Sequence, residues 1–114
     1  MNDSFVKFVL DQLRDLGDVR RRAMFGGFGL YCGDAFFGIV YDDRLYFKTD
    51  EANVSDYEGR GMKAFRPNER QTLRNYYEVP SEILDDREQV TAWALQAASL
   101  SSESRPFGAS PRVE

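Results

Sequence analysis

The 114-residue chain contains no histidine. That removes the commonest general base, the usual zinc ligand and the middle member of a Ser-His-Asp relay. Cysteine is almost absent too: Cys32 stands alone, so an internal disulfide is excluded, and a single thiol suits a reducing compartment. Long apolar runs are also missing. The stretch Ala35 to Tyr41 is far shorter than a bilayer span, and the opening MNDSFVKF does not join a basic segment to a long apolar one. A soluble cytoplasmic protein without membrane association is the expectation.

An excess of positive charge is lacking as well. The net charge is −4, so the molecule as a whole is not a polycation that would coat nucleic acid. Any anion-binding role has to be local, and the densest local cluster is Arg20-Arg21-Arg22. What the chain does have is apolar and aromatic material, 42% and 14% of its residues, enough for one folded domain around a single modest core.

Ser4 to Leu16 carries apolar residues at 5, 6, 9, 10, 13 and 16, a helical stripe that Asp3 or Ser4 can cap and Gly17 can end. From Val19 to Lys48 the pattern changes to short strands, roughly 19–25, 28–32, 36–41 and 45–48, separated by turn residues. Gly33-Asp34 suits a two-residue hairpin turn, and Asp42-Asp43-Arg44 can make the next. An antiparallel meander follows from this spacing. Leu45 and Phe47 fall on one face and Tyr46 and Lys48 on the other, as in a sheet covered on one side only.

Residues 50–57 read as a short helix broken by Glu58-Gly59-Arg60-Gly61. Strands over 62–66 and 75–79 come next, with a turn starting at Pro67-Asn68 and a stop at Pro80, which has no N–H for a ladder. Asp86, with Gln89 three residues on, is the expected start of a last helix whose stripe is Val90, Trp93, Ala94, Ala97 and Ala98. The fold class is therefore α+β, in the order α-β-β-β-β-α-β-β-α. One domain is expected over residues 1–98, with a polar, flexible tail over 99–114.

Chemistry is harder to find. Phe25-Gly26-Gly27-Phe28-Gly29 lacks the Lys-Ser/Thr ending of a P-loop and precedes a strand, so its glycines are assigned to a bend and to close packing between strands. Asp42-Asp43 and Asp85-Asp86 sit where turns and helix starts favour aspartate. With no nucleophile and base in sight, no catalytic residue, cofactor or metal is expected. The remaining candidates are contacts to a partner or to a nucleic-acid backbone through Arg20, Arg22, Lys48, Arg66 and Arg74, with Tyr46 available for stacking. The competing reading of Arg20 and Arg22 is a solvated strand edge whose charges discourage unwanted pairing.

Four blocks occur in a familiar order: Met24-Phe25-Gly26-Gly27-Phe28-Gly29-Leu30-Tyr31, Leu45-Tyr46-Phe47-Lys48-Thr49-Asp50, Tyr57-Glu58-Gly59-Arg60-Gly61-Met62-Lys63-Ala64-Phe65, and Tyr76-Tyr77-Glu78-Val79-Pro80 followed by Trp93. Together they resemble the N-terminal domain of the TfoX/Sxy family, over about residues 5 to 98. The resemblance implies a two-layer α/β sandwich similar to type III secretion chaperones. It also implies a non-enzymatic competence regulator acting through protein contacts, with a transcription factor such as the cyclic-AMP receptor protein as the expected kind of partner. Full-length regulators of this kind carry a second, helical C-terminal domain. A homodimer is compatible with the fold, and direct nucleic-acid binding is the alternative function.

Overall fold

The computed structural model describes residues 4–24 and 26–103, the last three by backbone alone. The first helix, α1, spans Ser4–Gln12 and buries Val6, Val9 and Gln12. It tightens into a 3₁₀ turn over Arg14–Leu16, shorter than the helix to Leu16 expected from the apolar spacing. Such a turn absorbs carbonyls that a helix end leaves unpaired, and here the Gly17 N–H closes onto the Arg14 carbonyl at 3.3 Å.

The meander follows as β1 (Val19–Met24), β2 (Gly27–Cys32), β3 (Ala35–Tyr41) and β4 (Arg44–Lys48), each antiparallel to the next. Its turns are those the sequence suggested. Gly33 sits at φ 60°, and Asp42 and Asp43 both take positive φ (53° and 59°), the backbone that a primed hairpin turn requires and aspartate tolerates. Gly27 and Gly29 serve close packing. A Cβ on Gly27 would collide with the Val40 carbonyl, and one on Gly29 would lie 2.9 Å from the Met24 sulfur. The Phe25 part of that glycine-rich bend lies outside the described residues.

After β4, Asp50 and Asn53 cap one another. The Asn53 side-chain oxygen accepts from the Asp50 N–H at 2.8 Å, and an Asp50 carboxylate oxygen accepts from the Asn53 N–H at 3.0 Å. This box starts the helix α2 (Val54–Glu58) later than residue 50. Strands β5 (Ala64–Asn68) and β6 (Gln71–Glu78) pair as a hairpin whose reversal lies at Glu69-Arg70, two residues beyond the expected turn. Pro67 is thus inside a strand. It is tolerated because β5 is an edge, where a missing N–H breaks no ladder.

Pro80 leads into a short helix, α3 (Ser81–Leu84), that the sequence reading did not separate, and α4 runs over Arg87–Glu103. Asp86 caps α4 as expected: Gln89 donates its backbone N–H at 3.1 Å and its side-chain amide at 3.0 Å to the carboxylate. These bonds hold the Asp86 carboxyl below the usual carboxylate range. The helix continues past Ala98 to Glu103, and most of the tail expected over 99–114 lies outside the described residues.

The six strands form one sheet in the order β1-β2-β3-β4-β6-β5. One face packs against the helices. Leu30, Phe37, Val40, Leu45 and Phe47 meet Val6, Val9 and Leu13 on one side and Val90, Ala94 and Ala97 of α4 on the other. The larger of these side chains, when fully buried, each contribute roughly 1.5–3 kcal/mol. A buried hydrogen bond from the Gln12 amide to the Leu84 carbonyl, 2.9 Å, ties α1 to α3. This is the two-layer α+β arrangement, and among the described residues no helix layer covers the opposite sheet face.

Candidate functional site

The uncovered face is set by strand alternation and by one irregularity. Between β2 and β3 the register slips, so that Leu30 opposes Gly38 while Tyr31 opposes Phe36, and Phe37 is the extra residue. Such a bulge re-aims side chains. Here it lets Phe36 and Ile39 share the open face while Phe37 and Val40 both enter the helix-side core.

The open face carries its own small core of Ile39, Tyr46, Phe65 and Tyr76, flanked by Phe36, Tyr41 and Leu73. Its rings touch in two chains. Tyr31 stacks on Phe36 at 5.0 Å and Phe36 leans on Tyr76 at 5.5 Å, while Phe65 sits 4.7 Å from Tyr46 and 5.4 Å, edge-on, from Tyr41. Phe65 is fully buried, and the cluster it belongs to is built from strand residues. Its ring neighbours are Tyr41 of β3 and Tyr46 of β4, and its own hairpin breaks register on either side of it, between Ala64 and Phe65 and between Phe65 and Asn68.

Tyr46 and Tyr76 are accordingly buried rather than presented for stacking. Desolvation, reinforced for Tyr46 by Glu78 and for Tyr76 by Tyr31, raises both phenols, Tyr76 to about 12. Each stays a neutral hydrogen-bonding group at physiological pH. Tyr77 points to the helix side and donates to Glu58 at 2.9 Å, a bond that raises its pKa.

The six residues singled out by sequence fall into four separate places. Arg20 and Arg22 lie on β1 with Arg21, beside a depression of about 300 Å³ that Tyr31, Gly33 and Asp34 complete. Tyr46 and Arg66 lie at another, of about 420 Å³, together with Arg44, Lys63 and Glu78. Arg74 opens on a third, of about 490 Å³, beside Asp50 and Glu51. Lys48 is half-buried on β4, opposite Tyr76.

Their charges are partly engaged. Arg20 approaches Asp18 through two nitrogens at 3.1 and 3.2 Å. Arg66 donates to the carbonyls of Asn68 and Glu69, holding its own hairpin turn. Arg44, expected only as part of a turn, pairs with Glu78 at 3.5 Å, and Lys63 joins the same depression. Local pattern could not find these two, because the β4–β6 pairing that assembles the depression joins residues far apart in sequence. Arg21 takes the opposite side of β1, its guanidinium 5.0 Å from the Phe28 ring centre.

Among the described residues no helix is long and apolar enough to cross a membrane. A family model described as the TfoX N-terminal domain matches residues 11–100. The chain is also similar to the DNA transformation protein TfoX1 of Aliivibrio fischeri, 33% identical over 81 residues that make up 69% of this chain. The chain spans 37% of that relative's length.

Proposed function

The chain belongs to the TfoX N-terminal domain family, and from that membership we propose that it is a non-enzymatic regulatory domain acting in competence through contact with a protein of the transcription machinery. Support comes from the name of the relative, which ties that protein to DNA transformation, and from the architecture. The observation that carries the reading is the sheet face that the helices leave uncovered, together with the two strand edges beside it. Edges and uncovered faces are what small α+β domains offer to a partner. A cyclic-AMP receptor protein is a partner of the right kind, and the cytoplasm is the matching compartment.

Affinity capture from native lysate, with and without nuclease, tests this. A transcription component retained after nuclease treatment is the expected result. Capture that disappears with nuclease would favour direct nucleic-acid binding through Arg20, Arg22 and Lys48 instead, and capture of no transcription component at all would overturn the proposal.

A further inference from the structure

The sheet has two edges, and they differ. At one, β5 contains Pro67 and breaks register with β6 twice, so its outer side cannot present a regular row of donors and acceptors. At the other, β1 pairs with β2 in unbroken register over all six residues, from Val19 opposite Cys32 to Met24 opposite Gly27. A regular edge strand leaves alternate N–H and C=O groups pointing outward. The central residues of β1, Arg20 to Ala23, are all exposed.

Three consecutive arginines decide what can join this edge. Two copies of β1 placed antiparallel about Arg21 would set Arg21 against Arg21 and Arg20 against Arg22, and a parallel in-register pair would set each arginine against itself. Like charges directly opposite one another destabilise a strand pair. In either of these registers a second copy of this chain is a poor occupant. An extended segment with carboxylates at alternate positions has the reverse relation: it would face Arg20 and Arg22 across the new ladder while its backbone ran along the outer edge of β1. The depression of about 300 Å³ along this edge is lined by all three arginines and by Tyr31, with Asp34 at its turn end.

We propose that β1 is a docking edge for an acidic extended segment of a protein partner, which adds to the sheet as a seventh strand beside Arg20, Arg21 and Arg22. This deepens the reading of the chain as a protein-binding regulatory domain and rests on it for the existence of a partner. Main-chain bonds hold the segment, and the arginines select its charge.

The test uses a terminally blocked peptide alternating Glu and Thr, matched in length to β1, against a Lys-Thr counterpart, titrated by fluorescence anisotropy with backbone amide shifts followed by NMR. The acidic peptide alone should bind, with its largest amide shifts on residues 19–24 and an affinity that falls with salt. The double variant Arg20→Glu, Arg22→Glu should bind it at least about tenfold more weakly and gain the Lys-Thr peptide. N-methylation along one edge of the peptide should abolish binding, whereas methylation along the other edge should spare it. Equal binding by both methylated forms would mean charge attraction without strand addition and would overturn the proposal, as would no binding, or shifts centred away from β1. Failure here with a transcription component still captured from lysate would leave the regulatory reading standing. Peptide binding without such a component would do the reverse.

Discussion

The two faces of this sheet are made of similar residues and buried by different means. On the helix side, Phe37 and Phe47 are sealed by α1 and α4, a cover formed by separate elements. On the other side, Ile39 and Phe65 are equally inaccessible, yet what covers them is the edge of their own sheet and a set of tyrosine and phenylalanine rings. Burial alone therefore does not mark which face is available. The difference lies in what must move to expose each one: a packed helix layer in the first case, a two-stranded hairpin in the second.

The largest expected effect lies under the helices. Phe47→Ala should cost about 4 kcal/mol of folding stability in urea titrations, because the cavity it leaves is enclosed on all sides. Phe65→Ala removes a side chain of the same type but at a site bordering the depression between Ala64 and Arg66, where neighbours can settle, so about 3 kcal/mol is expected. The only tryptophan, Trp93, lies on the helix side 4.7 Å from Tyr57, and its native emission should be unchanged in Phe65→Ala. A shift there would show that the two cores are not separable.

Alkaline titration compares the faces more gently, since each holds a buried phenol. Desolvation lifts Tyr76, on the open face, from 10.0 to about 12, and pushes Tyr57, under α4, higher still. Both are neutral when folded at a pH where the unfolded chain has begun to ionise. Their contribution to stability is thus intact below pH 10 and falls as pH rises, that of Tyr76 toward 12 and that of Tyr57 at higher pH still. Ultraviolet difference spectra should show Tyr76 ionising before Tyr57, and Tyr76→Phe should remove the earlier step. The smallest effect belongs to the edge: Arg20→Ala breaks an ion pair whose partners are about three-quarters exposed and should change stability by less than about 0.5 kcal/mol.

The meander was legible because its determinants are local. Gly33 and the Asp42-Asp43 pair encode their turns within a few residues, and Asp86 with Gln89 encodes the start of α4. The second hairpin was less so. Gln71 to Asn75 is polar apart from Leu73 and lacks alternation, and Pro67 reads as a break although an edge strand accepts it. The cover over Tyr46 was invisible for another reason: its contact with Phe65 depends on β6 pairing with β4 across a long connection. The candidate cations were found one by one, but their distribution over three depressions is a property of register, which composition does not carry.

The contrast between the edges also governs assembly at high concentration. A sheet that can be lengthened at both ends polymerises, one molecule templating the next. Here β5 is interrupted by Pro67, and β1 repels another β1 through its three arginines. On the proposed docking, one edge is open to a partner strand and the other is interrupted, so an acidic segment is taken up at β1 alone.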